Sequence, residues 1–403
     1  MTWRYEDGGP RRTQTVSGGL SIGPTDRLEV TTRTAPAITM AVHRGPGELY
    51  LLRHTAGADA IAFVEQIDPF TLEPLAQSPE LPGGPVWPGG LGAHENGSLY
   101  VVFGNHAHRL DAGLHVLASR LLPRPRPYNS FVTLPDGHLV TKDFGGSRPG
   151  VTLAPAERDP CEVLVLEPDR LEIVAHLVLP EPSIARLSAD GDDVYVVGDT
   201  SLLRVRWDGS TLALDDQLTA PYRTLEGQTY GWDCVIVADA AWFLDDGDGT
   251  EGYSGTLRGH GVSTAPLHLV RVNLATSAVT LTEICGRPGG LVANPPVVDE
   301  DRGVVVGYDS GNGVLAAFDL DTLALRWRRE QDHASHLVLY EGTGELVTGD
   351  GADVVILDIV SGHELARADS GGGVQSVLFP TPGEHRDLYV CSFMSVSRVA
   401  VTS

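Results

Sequence analysis

The amino-acid sequence predicts an all-β fold: a single β-propeller of eight four-stranded blades, closed by an N-terminal strand that pairs with the last blade. Three observations support this prediction. The 403 residues include 47 glycines and 27 prolines, a density that suits short strands joined by tight turns. Hydrophobic residues make up 42% of the chain, enough to form a buried core. A strand–turn unit also recurs along the whole sequence.

The recurring unit is a turn rich in Gly or Asp followed by a short apolar strand, interpreted as the second strand of a blade. These strands are predicted at residues 49–52, 99–102, 139–141, 194–197, 241–244, 304–306, 346–348 and 388–390. Successive starts are 40 to 63 residues apart, a period typical of propeller blades with about four strands each. Seven blades is the alternative if one weak unit is an insertion.

The two ends of the chain complement each other. The last unit is short, and the stretch LSIGPTDRLEVTTRT at residues 20–34 is interpreted as a spare outer strand for it. Pairing the two would remove the open edges of the ring. We therefore expect residues 1–403 to form one domain, with a flexible segment at 1–19. The insertion at 245–266 is a candidate lid, because long loops often carry function.

Charge and cysteine usage limit the partners and the compartment. The net charge of −24 disfavours nucleic acid and anionic membrane surfaces, so a small-molecule substrate is the expected partner. No apolar run resembles a signal peptide or a membrane-spanning helix. Four widely separated cysteines do not form a disulfide scaffold, and we expect a reduced, cytoplasmic protein. The oligomeric state stays open.

Two stretches resemble known propeller families. NPPVVDEDRGVVVGYDSGNGVLAAFDLDTLALRWRRE, at residues 294–330, resembles the repeat of pyrroloquinoline-quinone-type (quinoprotein-like) propellers. PYNSFVTLPDGHLVTKDF, at residues 127–144, is similar to a blade of gluconolactonase-like and strictosidine-synthase-like propellers. The first resemblance implies the fold. Its quinone-dependent members are usually exported and longer, and often carry a vicinal disulfide under the quinone. Because this chain has no adjacent cysteines, we do not expect a quinone cofactor.

In a propeller, the loop entering each innermost strand and the loop leaving each second strand open on the same face, where a ligand site is expected. Polar and aromatic side chains occupy these positions. The predicted substrate-binding residues are Tyr128, Asn129, Tyr230, Trp232, Asp233, Asn294, Asp309 and Gln375. We expect an enzyme of the lyase, isomerase, cyclase or lactone hydrolase class, working by acid–base or electrophilic catalysis.

Lys142 and Asp143 are the predicted acid–base pair, with His333 as a further proton carrier. Lys142 is the only lysine among 29 basic residues, and arginine cannot replace an amine that must lose its proton. A plain salt bridge would also account for the lysine. Aspartates follow the second strand in several blades (Asp143, Asp199, Asp309 and Asp350). This recurrence favours a structural role in capping loop amides.

Two metal sites are conceivable. His54, His106, His108 and His336 belong to neighbouring blades and could bind iron or copper. Asn129, Asn294 and Asp309 resemble the cation site of lactonase-like propellers, and oxygen ligands of this kind suit calcium. The alternatives to an acid–base enzyme are therefore a metal-dependent oxygenase or hydrolase, and a non-catalytic binding propeller with an exposed apolar patch and a blocked channel.

Overall fold

The computed structural model describes residues 2–57, 59–85, 89–145, 158–250, 257–332, 336–372 and 378–403. Its first elements are a 3-10 helix (Glu6–Gly8) and the strands β1 (Thr15–Val16) and β2 (Arg27–Thr34). The strands that follow form eight blades around a central channel. No helix in the described part of the chain has the length and apolar character needed to cross a membrane.

Blades 1 to 4 each run from the innermost to the outermost strand in chain order. Blade 1 contains β3 (Ile38–Gly45), β4 (Glu48–His54), β5 (Ala60–Ile67) and β6 (Pro74–Gln77), and β7 (Leu81–Gly84) also pairs with β5. Blade 2 contains β8 (Gly90–Ala93), β9 (Leu99–Phe103), β10 (His106–Leu110) and β11 (Val116–Leu121). Blade 3 contains β12 (Tyr128–Thr133), β13 (Leu139–Asp143), β14 (Glu162–Leu166) and β15 (Ile173–Val178). Blade 4 contains β16 (Ser188–Asp190), β17 (Asp193–Val197), β18 (Ser201–Trp207) and β19 (Leu212–Pro221).

Blades 5 to 7 repeat this order. Blade 5 contains β20 (Val235–Val237), β21 (Ala240–Leu244), β22 (Pro266–Asn273) and β23 (Val279–Pro288). Blade 6 contains β24 (Val297–Asp299), β25 (Val304–Asp309), β26 (Val314–Asp319) and β27 (Leu325–Glu330). Blade 7 contains β28 (Val338–Tyr340), β29 (Glu345–Asp350), β30 (Asp353–Asp358) and β31 (Glu364–Asp369). Blade 8 contains β32 (Phe379–Pro382), β33 (Asp387–Cys391), β34 (Ser395–Thr402) and β2.

The predicted blade count and ring closure are confirmed. All eight predicted second strands are the second strands of blades, which excludes the seven-bladed alternative. Strand β2 pairs antiparallel with β34, with Arg27 opposite Thr402 and Thr34 opposite Ser395. The outermost strand of blade 8 thus comes from the start of the chain, and this pairing joins the two ends of the ring.

Burial explains why the second strands were the clearest signal in the sequence. Strands β9 and β21 are buried along their whole length, because the neighbouring blades cover both faces of each blade. The outermost strand β15 alternates between half-buried and exposed residues, since one of its faces meets solvent. Apolar clusters accordingly form between adjacent blades, such as the one that joins Trp242 and Leu244 to Val305 and Phe318.

The N-terminal segment lies inside the channel. Its contacts with blades 1 to 7 are, in chain order, Trp3 with His43, Arg4 with Ala93, Tyr5 with Thr133, Pro10 with Ala189, Arg11 with Ile236, Gln14 with Pro296, and Thr15 with Leu339. Trp3 and Gln14 are buried, and β1 pairs in parallel with the innermost strand β28. The sequence predicts a flexible segment at residues 1–19, whereas the described residues 3–16 contact the innermost strands of blades 1 to 7. The segment lacks long apolar runs because its polar side chains pair with groups inside the channel.

Candidate functional site

The channel has two different ends. We call the end at which the innermost strands begin and the second strands finish the top face, and the opposite end the bottom face. The N-terminal segment contacts the far ends of β3, β8 and β12 through Trp3, Arg4 and Tyr5, so it occupies the bottom of the channel. The predicted site residues belong to the top face and to the channel below it.

A buried cluster of charges holds the N-terminal segment in the channel. Arg12 Nη1 lies 2.8 Å from Asp7 Oδ2 and 3.2 Å from Glu6 Oε2. On its other side, Asp7 Oδ1 lies 2.8 Å from His336 Nδ1. Burial acts to raise the pKa of Asp7, but His336 and Arg12 outweigh it and lower this pKa to about 2. Asp7 is therefore a carboxylate fixed between two cationic or hydrogen-bonding partners.

Arg186 extends the same cluster toward blade 5. Its Nε atom lies 2.8 Å from Glu6 Oε2, and its backbone N–H donates to Asp233 Oδ1 over 2.6 Å. Burial raises the pKa of Glu6. Asp233, predicted to bind substrate, is fully buried and accepts these contacts from Arg186. Its described contacts are thus with protein groups that hold the ring to its central segment.

The same cluster contains a set of potential metal ligands. Among the described residues, Glu6, Asp7 and His336 have ligand atoms within 4.8 Å of one another. The guanidinium groups of Arg12 and Arg186 already contact the two carboxylates. A metal cation there would meet two positive charges and would have to displace these contacts. The donor set therefore fits a salt-bridge network better than a metal site.

The four histidines predicted to bind a transition metal do not converge on one point, although the rings of His106 and His108 lie side by side with centroids 6.0 Å apart. His108 lies on β10, the third strand of blade 2, where its two ring nitrogens contact Ser119 Oγ and the Pro82 carbonyl. His106, which lies on the same strand as His108, contacts the Gly83 carbonyl of β7. His54 stacks on Phe103 with ring centroids 4.9 Å apart, whereas His336 faces Asp7 in the channel. Because the β9–β10 turn is short, His106 and His108 belong to the third strand of blade 2 and not to the loop at the channel mouth, and metal binding by these histidines stays a prediction.

Lys142 and Asp143 are both buried but do not face a common space. Lys142 Nζ donates to the carbonyls of Asp143 and Ser183 over 3.0 and 3.1 Å and lies 3.9 Å from Cys161 Sγ. The Asp143 carboxylate contacts Arg124 and Arg126. Consecutive residues of a strand point to opposite faces, which separates the two side chains. Catalysis by this pair stays a prediction, and the contacts favour structural roles for both residues.

Three of the four recurring aspartates accept hydrogen bonds from backbone N–H groups, in agreement with the capping interpretation. These bonds run from Glu162 to Asp143, from Asn312 to Asp309 and from Asp332 to Asp350, over 2.5 to 3.0 Å. The carboxylate of the fourth, Asp199, contacts Arg158 Nη2. Asp309 also accepts a hydrogen bond from Asn312 Nδ2. Its carboxylate is therefore engaged with the loop that follows its own strand. A role for Asp309 as a calcium ligand or substrate contact stays a prediction.

Asn129 and Asn294 occupy equivalent positions in blades 3 and 6, in the chain leading into or beginning the innermost strand. Both are buried, and their Nδ2 atoms donate to the carbonyls of Ile184 and Pro295. The Oδ1 atom of each has no hydrogen-bond partner. Two buried acceptors without donors are consistent with a ligand or water in the channel. They are the predicted calcium ligands that keep free oxygen atoms.

The aromatic residues predicted to bind substrate lie in different parts of the ring. Tyr128 is buried between blades 2 and 3, where its hydroxyl donates to Glu162 Oε1 over 2.7 Å. Tyr230 and Trp232 belong to an apolar cluster that spans blades 3 to 6, and Trp232 Nε1 has no acceptor. His333 and Gln375 lie outside the described residues, so the assignments made to them stay predictions.

The predicted site residues do not include a carboxyl cluster at the top of blade 5, although Asp245 and Asp246 follow its second strand. Asp245 accepts hydrogen bonds from His268 Nδ1 over 2.9 Å and from Gln228 Nε2 over 2.8 Å. The next residue, Asp246, accepts a bond of 2.6 Å from Ser263 Oγ through its Oδ1 atom. The signal for this cluster is a pair of consecutive aspartates at the position where blades 3, 4, 6 and 7 each have one.

Asp246 has the features of a functional carboxyl. It is fully buried, and its Oδ2 atom has no hydrogen-bond partner. Its backbone φ of 63° is in the left-handed region, a strained conformation for a residue other than glycine. Burial, reinforced by the negative charge of Asp245, raises the pKa of Asp246 to about 8. The group is therefore largely protonated at neutral pH and can donate a proton.

Comparisons with known proteins support the architecture. No protein-family model and no curated protein matches the sequence. Among solved structures, BamB from Moraxella catarrhalis is 13% identical, with a TM-score of 0.62 over 93% of this chain and 97% of that one. A europium-containing methanol dehydrogenase is 11% identical, with a TM-score of 0.66 over 96% and 89% of the two chains. A quinohemoprotein alcohol dehydrogenase from Comamonas testosteroni is 11% identical, with a TM-score of 0.66 over 99% and 80%.

The protein is thus an eight-bladed β-propeller with the architecture of quinoprotein dehydrogenases and BamB. The predicted likeness to pyrroloquinoline-quinone-type propellers is confirmed at the level of the fold, whereas the gluconolactonase-like blade stays a prediction. At these identities the likeness defines the fold alone. The cysteines are free and lie in blades 3, 5 and 8. No two are adjacent in the sequence, so the chain cannot form the vicinal disulfide that often lies under a bound quinone.

Proposed function

We propose that the protein is a cytoplasmic small-molecule enzyme that works at the top face by acid–base catalysis, with Asp246 as the proton donor. The observation that carries this proposal is the Asp246 carboxyl, which is buried, held by Ser263 through one oxygen and left without a hydrogen-bond partner at the other. Lyases, isomerases, cyclases and lactone hydrolases all need a positioned group that gives a proton to a developing negative charge.

The surroundings of Asp246 support this role. Asp245 is fixed next to Asp246 by hydrogen bonds from His268 and Gln228. Burial raises the pKa of Asp245, and these hydrogen bonds act against that rise. Burial acts to lower the pKa of His268, but the hydrogen bond and charge of Asp245 outweigh it and raise this pKa. A protonated carboxyl beside an aspartate–histidine pair combines a proton donor with a group that can restore its proton.

The insertion at 245–266 brings a second element to the site. Ser263, near its end, contacts both Asp246 and the Gly227 carbonyl, and Thr250 donates to the Val292 carbonyl in blade 6. The described part of the insertion therefore covers Asp246. Movement of Ser263 away from Asp246 would expose the carboxyl to a substrate, in keeping with the lid predicted from the sequence.

The proposal is tested by comparing wild type with Asp246→Asn on a panel of lactones, hydroxy acids and enolisable carbonyl compounds in deuterated water. Mass spectrometry would detect both turnover and exchange of carbon-bound hydrogen. We expect at least a hundredfold slower reaction in Asp246→Asn, the usual scale for losing a general acid. Asp350→Asn, at the end of the second strand of blade 7, is the matched control. Wild-type rates in Asp246→Asn would overturn the assignment.

A second candidate function is a non-catalytic binding scaffold. The N-terminal segment fills part of the channel, which favours a binding scaffold. A partner of such a scaffold would bind on the outer surface of the ring. The outermost strand β11 of blade 2 exposes Val116, Leu117 and Leu121 at the rim. A protein that co-purifies with wild type and Asp246→Asn, but not with a Leu117→Arg, Leu121→Arg double variant, would favour this function.

A further inference from the structure

Arg158 is a buried guanidinium with unused hydrogen-bonding capacity. It follows the second strand of blade 3 and reaches blade 4, where Nη2 lies 2.8 Å from Asp199 Oδ2. Its Nε and Nη1 atoms are buried and have no acceptor. A guanidinium carries five N–H groups, and buried donors of this kind are normally paired. The missing acceptor must come from a water molecule or from a ligand.

The position of Arg158 connects it with the proposed active site. Its Cζ atom lies 4.1 Å from the centre of the Tyr230 ring. The Tyr230 carbonyl accepts a hydrogen bond from Gly247, the residue after Asp246. Arg158 and Asp246 therefore flank the same tyrosine at the top of blade 5.

A second donor without a partner belongs to the same region. Trp232 Nε1 is buried and has no acceptor, and Trp232 shares an apolar cluster with Tyr230, Phe144 and Ile184. These residues come from the tops of blades 3, 4 and 5, the blades that Arg158 spans. Buried donors without partners cost free energy, and a guanidinium forms its strongest hydrogen bonds with a negatively charged acceptor. The unpaired donors of Arg158 and Trp232 therefore favour an anionic ligand.

We propose that the top face binds its ligand through a carboxylate that accepts hydrogen bonds from Arg158. This inference rests on the proposed function, because it names the class of substrate that Asp246 would protonate. The carboxylate would lie beside the Tyr230 ring, and the rest of the ligand would extend toward Asp246. Carboxylate oxygens match the planar guanidinium, and the low polarity around Tyr230 strengthens charge-assisted hydrogen bonds.

The test measures ligand binding rather than turnover. Thermal unfolding of the full-length protein would be followed with acetate, benzoate, succinate and citrate, each compared with its neutral amide at equal ionic strength. We expect the carboxylates to raise the Tm of wild type and the amides to leave it unchanged. Arg158→Gln should weaken binding at least tenfold and Trp232→Phe less, whereas Arg170→Gln, an exposed arginine of the same blade, should bind as wild type does.

Other outcomes would overturn the inference. These are an equal carboxylate response in Arg158→Gln and wild type, no response to any carboxylate in the panel, or a response to phosphate and sulfate without one to carboxylates. Arg158→Lys, which keeps the charge, provides a folded comparison if Arg158→Gln is unstable. Asp246→Asn should retain carboxylate binding, so binding without turnover in that variant separates the substrate class from the catalytic role.

Discussion

Arg12 Nη1 and Asp7 Oδ2 are 2.8 Å apart inside the channel, and both residues belong to the N-terminal segment. The pair is buried, and Glu6 contacts Arg12 while His336 contacts Asp7. The segment then leaves the channel, and the chain continues into β2, the outermost strand of blade 8. The first 34 residues thus hold the ring together twice, once from inside the channel and once at the closure.

Replacement of Arg12 should destabilise the whole ring. Arg12→Leu leaves the Glu6 and Asp7 carboxylates buried with one cation fewer, and breaking a buried ion pair in this way costs about 3–5 kcal/mol. Urea unfolding would measure the loss. Arg11→Gln, which changes the half-exposed neighbouring arginine, is the control and should lose less than about 1 kcal/mol. Equal stability of Arg12→Leu and wild type would show that the cluster is not needed for folding.

The N-terminal segment should also stabilise the folded protein through the Trp3 side chain. This side chain is buried in an apolar cluster with Val16, Leu20 and residues of blades 7 and 8, and its backbone pairs with His43. Trp3→Ala should cost about 3–5 kcal/mol, as expected for removing a large buried aromatic side chain. Trp3→Phe, which keeps most of the apolar volume, should recover most of the loss in the same measurement. A loss below about 1 kcal/mol for Trp3→Ala would contradict the packing of the segment.

Asp246 should make stability depend on pH between about 4 and 8. Its pKa is raised from the ordinary aspartate range to about 8, so the folded state keeps a proton that the unfolded chain releases. The stability from this group is present below the unfolded pKa and is lost as the pH rises toward 8. Urea unfolding should therefore show that the free energy of unfolding falls more between pH 5 and pH 9 in wild type than in Asp246→Asn.

The matched control for this pH dependence is Asp350→Asn, whose carboxylate contacts Arg367 near the surface. The free energy of unfolding of Asp350→Asn should fall with pH as steeply as that of wild type. If Asp246→Asn also kept that slope, Asp246 would be ionised in the folded protein at neutral pH and could not serve as the proton donor.

Lys142 should act on stability. Lys142→Met removes the amine that donates to the buried carbonyls of Asp143 and Ser183. The Ser183 carbonyl keeps its hydrogen bond from the Gly145 N–H, and loss of the amine should cost about 1–3 kcal/mol. A lower Tm, with turnover per folded molecule unchanged, is the expected result. Unchanged stability with lost turnover would restore the catalytic role predicted from the sequence. Cys161→Ser is a useful comparison, because it alters the neighbouring Sγ and keeps the amine.

The blades could be predicted because their signals are local. Each second strand, such as Leu99–Phe103, is a short apolar run after a Gly or Asp turn, and both its faces are buried. The closing strand could be predicted because the first and last units complement each other. The role of residues 1–19 could not, since Glu6, Asp7 and Arg12 suggest an exposed segment until the channel supplies Arg186 and His336 as partners.

By itself, the sequence determined the all-β class, the eight blades, the closure and the aspartates that cap loops, because these depend on neighbouring residues and short periods. Only the tertiary structure decided which polar residues meet. It separated Lys142 from Asp143 by strand alternation, placed His108 on a third strand, and joined Asp246 to Ser263. Such contacts depend on the order of blades around the ring and on the course of long loops, which no local pattern encodes.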